Sequence, residues 1–201
     1  MKSNQLFYLL LLFVLTLGTS CGGDDDTMEE ELTTESLCKY AMEFDEQLIE
    51  KELSNEPTGM ICNVAIFNAG DGIGYGTSLF SNDSDEELRF FRGTINIPFN
   101  ELPTTEQFDS LFHVGTYDYT LEGDMGTLIE YTSPDNEVWS TDRGTGNQAG
   151  SSFELLEKVS ETLPTGYTII ARVKYNCTLY NDAGEAKDCE GTATIQVLAF
   201  N

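Results

Sequence analysis

Three groups of side chains in this 201-residue chain have types and spacings that could do chemistry: five thiols, a run of carboxylates and a lone tryptophan. Cys21 comes directly after the small residues Gly18, Thr19 and Ser20, which end an apolar run from Leu6 to Leu17 headed by a single Lys2. A positive start, a short apolar core and small residues at the cut make residues 1–20 a secretory leader. The run is well short of the roughly 20 residues a spanning helix needs. Cleavage is therefore expected, with the thiol of Cys21 becoming the acylated first residue of a lipid-anchored protein. Cys38, Cys62, Cys177 and Cys189 then form an even set in an exported chain, for which two disulfides are the expectation. Zinc is disfavoured, because the sequence has no Cys-x-x-Cys pair and His113 is its only imidazole.

The carboxylate run is Ser81-Asn-Asp-Ser-Asp-Glu-Glu, in which Asp83, Asp85 and Glu87 alternate. Hard cations take six to eight oxygen ligands, so calcium is the one cofactor these residues suggest. They lack the glycine and the distant glutamate of an EF-hand loop, and a solvated loop explains them as well. Trp139 could stack on a sugar ring through its amphipathic face; the competing role is a place in the core, where large aromatics usually lie. Nucleophilic hydrolysis has no support, since no Gly-x-Ser-x-Gly elbow accompanies His113. A carboxylate-dependent glycan hydrolase stays open only because acids are so plentiful that any pairing is uninformative. Asn68–Gly76 carries glycines at 70, 72, 74 and 76 without the Lys-Ser/Thr ending of a phosphate loop. It reads as a flexible loop, or as glycines where another backbone comes close.

The 35 acids against 10 bases give a net charge of −25. That excludes nucleic acid and a basic membrane-binding patch as partners, and leaves neutral glycans, cations or basic proteins. Residues 21–36 are rich in acid and poor in apolar side chains, which makes a disordered tether. Residues 37–201 are enough for one domain with a sizeable core.

The elements that must position these residues read as strands. From Tyr167 to Tyr180 the odd-numbered residues Tyr167, Ile169, Ala171, Val173, Tyr175, Cys177 and Leu179 share one face, as a half-buried strand requires. Thr192–Phe200 alternates too, and Asn181-Asp-Ala-Gly between them is a hairpin turn. Centring the hairpin on Ala183 sets Val173 opposite Ala193 and Cys177 opposite Cys189, which predicts a Cys177–Cys189 disulfide and, by elimination, Cys38–Cys62. Sequence alone leaves all three connectivities open. Further strands are expected at Met60–Phe67, Leu88–Ile97, Thr116–Leu121, Thr127–Tyr131 and Ser152–Leu156, with a short helix at Thr104–Phe112 capped by Thr105. Leu37–Leu53 fits both periods, with strand–turn–strand around Asp45-Glu46 preferred. The fold class is all-β: a single antiparallel sandwich-like domain with at most one short helix.

Two resemblances go further. Cys21-Gly-Gly-Asp-Asp-Asp resembles the export signal of surface lipoproteins of the Bacteroidota, although Gly18 stands where such leaders have leucine. Gly115-Thr-Tyr, Val138-Trp-Ser-Thr, Gly150-Ser-Ser-Phe-Glu and Tyr175-Asn-Cys-Thr-Leu-Tyr resemble a pattern in small lipoproteins of the same group, over Gly115–Asn201. The resemblance implies a β-sandwich-like fold, an outer-membrane address at the cell surface and no particular activity. The expected function is a non-catalytic binding or structural module for a glycan or protein. The alternatives are the glycan hydrolase and a calcium-stabilised adhesion domain.

Overall fold

Alternation of apolar and polar side chains buries one face of a strand, and it gives the described part of the chain eleven strands and one helix. The computed structural model describes residues 31–52, 60–69, 72–81, 84–98, 101–119, 126–164 and 166–200. The leader, Cys21, most of the acidic spacer and Asp83 lie outside them. Leu32 is buried, and a turn follows in which the Ser36 N–H donates to the Thr33 carbonyl at 3.1 Å.

The elements are β1 (Lys39–Phe44), β2 (Gln47–Glu52), β3 (Met60–Ala69), β4 (Gly72–Ser81), β5 (Glu87–Ile95), α1 (Thr105–Leu111), β6 (Gly115–Tyr117), β7 (Leu128–Thr132), β8 (Val138–Ser140), β9 (Ser152–Leu163), β10 (Gly166–Tyr180) and β11 (Ala186–Phe200). All the ladders are antiparallel, in the order β2-β1-β11-β10-β8-β7-β5-β4-β3, with β9 and β6 branching from β10. The β10–β11 hairpin has the expected register, Val173 opposite Ala193 and Cys177 opposite Cys189. Leu37–Leu53 resolves as strand–turn–strand, its turn made by Asp45 and Glu46 at φ 54° and 63°. That is the left-handed pair a two-residue hairpin demands. The helix is capped by Thr104 rather than Thr105. The Gln107 N–H donates to Thr104 Oγ1 at 3.2 Å and the Thr104 N–H to Gln107 Oε1 at 2.9 Å, a reciprocal capping box.

The glycine-rich segment forms strand β4 over residues 72–81, not a flexible loop. Its glycines admit the neighbouring strand: a Cβ at Gly76 would lie 2.2 Å from the Phe90 carbonyl oxygen, and one at Gly72 2.7 Å from that of Ile95. Beside Gly76 the β4–β5 register shifts, Tyr75 facing Gly93 and Gly76 facing Phe91, so Arg92 is the extra residue of a β-bulge. The bulge re-aims the strand: Leu88 and Phe90 are buried before it, Arg92 within it, and Ile95 after it.

The inner face of the sheet meets itself. Phe90 on β5 packs against Tyr175 on β10 at 5.3 Å between centroids, and Phe44 on β1 against Tyr131 on β7 at 5.0 Å. The helix closes the core by setting Phe108 edge-on to Tyr75 at 5.1 Å and to Tyr167 at 6.1 Å. A Cys38–Cys62 disulfide ties the start of β1 to β3, as expected. The second expected bridge is not formed: Cys177 and Cys189 are in register but are buried free thiols. The ladder sets their spacing. The Asn181 N–H donates to the Glu185 carbonyl at 3.2 Å, and counting back by twos puts the cysteines at a hydrogen-bonded pair. Side chains stand farther apart there than at the intervening sites.

Candidate functional site

The outer face of β10, β11 and β1 carries the polar half of the alternation: Asn176 and Thr178 on β10, Asp188 and Glu190 on β11, and Glu43 on β1. The β1–β2 turn raises Asp45 and Glu46 along one side of this floor, and residues Ala149–Ser151 wall the other. The result is an open groove of about 580 Å³ lined by five carboxylates. Lys187 is the one base among its described lining residues, and it is engaged, with Nζ 2.8 Å from Asp45 Oδ2. Glu190 accepts a long bond of 3.5 Å from Asn176. Such a surface attracts cations and repels anions.

One wall of the groove is built by a side chain acting as backbone. Strand β10 pairs with β9 up to Asn176 and with β8 at Tyr180, so Thr178 lies at the fork between them. Gln148 fills the fork. Its Oε1 accepts the Thr178 N–H at 3.0 Å, and its Nε2 donates to the carbonyls of Thr178 at 2.6 Å and Thr141 at 3.1 Å. Ser151 Oγ donates to the same Oε1 at 2.9 Å. The amide thereby substitutes for a missing strand and fixes the loop that borders the groove.

Trp139 does not offer a stacking face. It is 1 % exposed, edge-on to Phe44 at 5.5 Å, and covered by Lys187, whose Nζ lies 4.6 Å from the ring. It sits on β8 with its side chain inward, between half-buried Val138 and buried Ser140. Tryptophan was therefore core, and its role is to carry the ammonium that also pairs with Asp45.

The calcium candidates do not come together among the described residues. Asp85 is exposed, while Glu87 accepts from Ser78 Oγ and pairs with Arg89 at 2.6 Å. No group of three or more His, Cys, Asp or Glu that could hold a metal ion occurs among the described residues. Their neighbour Glu86 has a different role. It is 5 % exposed, pairs with Lys51 at 2.9 Å and accepts from the Tyr131 hydroxyl at 3.1 Å. Burial, together with the Glu86 charge, pushes both Tyr131 and Tyr40 well above the ordinary phenol range. The sequence shows no sign of this, because Glu86 belongs to an acidic run that looks uniformly solvated.

His113 is exposed, with Nδ1 2.9 Å from the Ser110 carbonyl, and its own carbonyl accepts from the Tyr117 hydroxyl. The other face of that tyrosine carries Arg92, whose guanidinium carbon stands 3.4 Å from the ring centroid. Burial holds Arg92 below its ordinary value, against the opposing contact with Tyr117. These groups stack one on another; they do not present a nucleophile to a base. Neither a family model, nor a curated protein, nor a solved structure matches this chain.

Proposed function

We propose that this chain is a non-catalytic binding module, anchored through acylated Cys21 at the outer-membrane surface, that receives a basic segment of a protein partner in its acidic groove. The groove carries the reading. Glu43, Asp45, Glu46, Asp188 and Glu190 border a polar floor with one base, itself paired to Asp45. Arrays of one sign steer an oppositely charged partner and fix its register. The fold attached to this function is a β-sandwich, supported by the contacts of Phe90 with Tyr175 and of Phe44 with Tyr131, which bring one inner face against itself. A glycan partner loses its strongest argument with Trp139 in the core.

Titration calorimetry of the full-length chain in detergent with a lysine-rich peptide tests the groove. The quadruple variant Asp45→Asn, Glu46→Gln, Asp188→Asn, Glu190→Gln should weaken binding by at least about tenfold and flatten its salt dependence. Equal affinity in the variant would remove the groove, and turnover of a glycan would remove the non-catalytic assignment. Fatty-acid labelling that persists in Cys21→Ala would remove the anchor.

A further inference from the structure

Cys177 and Cys189 face each other across the β10–β11 ladder, each 2 % exposed and neither bonded. A hydrogen-bonded antiparallel pair holds its Cα atoms about 5.5 Å apart, inside the roughly 4.4–6.8 Å that a disulfide bridges. The pair is therefore within the span of a disulfide, provided the side chains are drawn together from the wider spacing of this site. Tyr175 and Gly191 are the next pair on the same face. A Cβ at Gly191 would meet the Ala41 carbonyl oxygen at 2.4 Å and the Tyr175 hydroxyl at 2.8 Å, so the space beside the thiols is filled. On its other edge, β11 is covered by β1, with Phe44 paired to Cys189.

We propose that Cys177 and Cys189 are a modification site: the pair closes into a disulfide while the hairpin forms in an oxidising compartment, and complete folding seals it in whichever state it has reached. In closing, one thiol, as thiolate, attacks the S–S bond of a disulfide oxidant and forms a mixed disulfide. The second thiolate then displaces the oxidant's sulfur. One S–S bond forms and one breaks, and the oxidant leaves as two thiols that carry the two protons the cysteines gave up. Both steps suit the open hairpin, whose cysteines are only twelve positions apart (189 − 177). Neither suits the finished fold. A mixed disulfide must house the oxidant's remainder beside Cys189, where Tyr175, Gly191 and β1 leave no room. The attacking species is the thiolate. The adjoining Cys177 thiol, with burial adding to its effect, pushes the Cys189 thiol far above its ordinary value, so Cys189 supplies almost no thiolate in the folded chain. Cys38–Cys62 differs in that Cys62 is partly exposed.

Non-reducing peptide mapping of the full-length chain, after acid quenching and alkylation in denaturant, reads the outcome. Refolding with mixed reduced and oxidised glutathione should give a linked Cys177–Cys189 peptide beside Cys38–Cys62. Chain folded under reductant and then given oxidised glutathione without denaturant should close the pair at least about a hundredfold more slowly, since reaction waits on rare opening. A second arm needs no reduced folding: dithiothreitol added to the fully oxidised native chain should open Cys38–Cys62 while Cys177–Cys189 persists. Two alkylated thiols after oxidative refolding, or a bridge to Cys38 or Cys62, would overturn the site. Equal closing rates in folded and refolding chain, or simultaneous opening of both bridges, would overturn the sealing.

Discussion

Single side chains in this protein take the place of larger structures, and their removal should cost accordingly. Gln148 serves the backbone of Thr178 as a strand would, through bonds of 3.0 and 2.6 Å. Gln148→Ala leaves that N–H and C=O without their partner, and should cost about 2–3 kcal/mol in urea unfolding at unchanged m-value. Gln148→Glu keeps the acceptor for the Thr178 N–H but turns a carboxylate toward two carbonyls, so it should be at least as destabilising. A loss below half a kilocalorie per mole for either variant would show that water fills the fork equally well. The buried tyrosines set an alkaline limit in the same way. Burial, chiefly, raises Tyr40, Tyr131 and Tyr175 above the ordinary phenol value, so the folded chain keeps protons that the unfolded chain releases near pH ~10. Stability from these groups is whole below that pH and falls as pH rises beyond it, by about 4 kcal/mol per pH unit for the three together. Tyrosinate absorbance should therefore appear together with the loss of circular dichroism. Titration of these phenols near pH ~10 in a chain that keeps its dichroism would show that they are solvated.

At the scale of elements, what was legible in the sequence was what a local period carries. The β10–β11 hairpin came out in register because apolar residues recur at alternate positions along most of β10 and the end of β11, around one turn. The β1–β2 hairpin was ambiguous because Tyr40, Met42 and Phe44 alternate while Leu37, Tyr40 and Phe44 also fit a helical stripe. Tertiary pairing with β11 decides the matter. Strand β4 was legible only in part: of the two readings its glycines allowed, a loop or a close backbone approach, the second holds at Gly72 and Gly76, and the partner strand decides it. Glu86 and Gln148 were opaque for the same reason: each is defined by a neighbour far along the chain; for Trp139 the core role was one of the two the sequence offered, and it holds. The docking of β1 gives a test of this dependence. Gly191→Ala would put a Cβ 2.4 Å from the Ala41 carbonyl and 2.9 Å from Met42 Cα, both backbone atoms that cannot swing away. It should cost about 3 kcal/mol, with faster amide exchange in β1 and β2 before the rest of the sheet. Removing the staple by Cys38→Ala with Cys62→Ala should also cost about 3 kcal/mol, since its cysteines are 24 positions apart. If exchange in Gly191→Ala rose uniformly, β1 would belong to the same cooperative unit as the central hairpin.

For the whole molecule the deciding quantity is charge, and it acts on folding and on binding with opposite signs. With 35 acids against 10 bases, repulsion within the folded chain outweighs the ion pairs it can form. Those pairs, such as Arg89 with Glu87 and Glu130 or Lys187 with Asp45, are partly exposed and contribute little each. Salt screens both, but the Debye length falls from about 30 Å at about 0.01 M to about 3 Å at about 1 M, so the long-range repulsion is lost first. The thermal midpoint should therefore rise with sodium chloride, by an amount on the order of 1 kcal/mol in stability. A partner held by the carboxylates of the groove should respond the other way, its affinity falling over the same range as the mutual attraction is screened. The two trends separate electrostatic binding from any general effect of salt on the fold. Affinity that rises along with the melting temperature would mean that the partner is held by apolar surface, and would move the binding site away from the acidic face. A midpoint that falls with salt would mean that the short ion pairs, rather than the net charge, govern the stability of the folded chain.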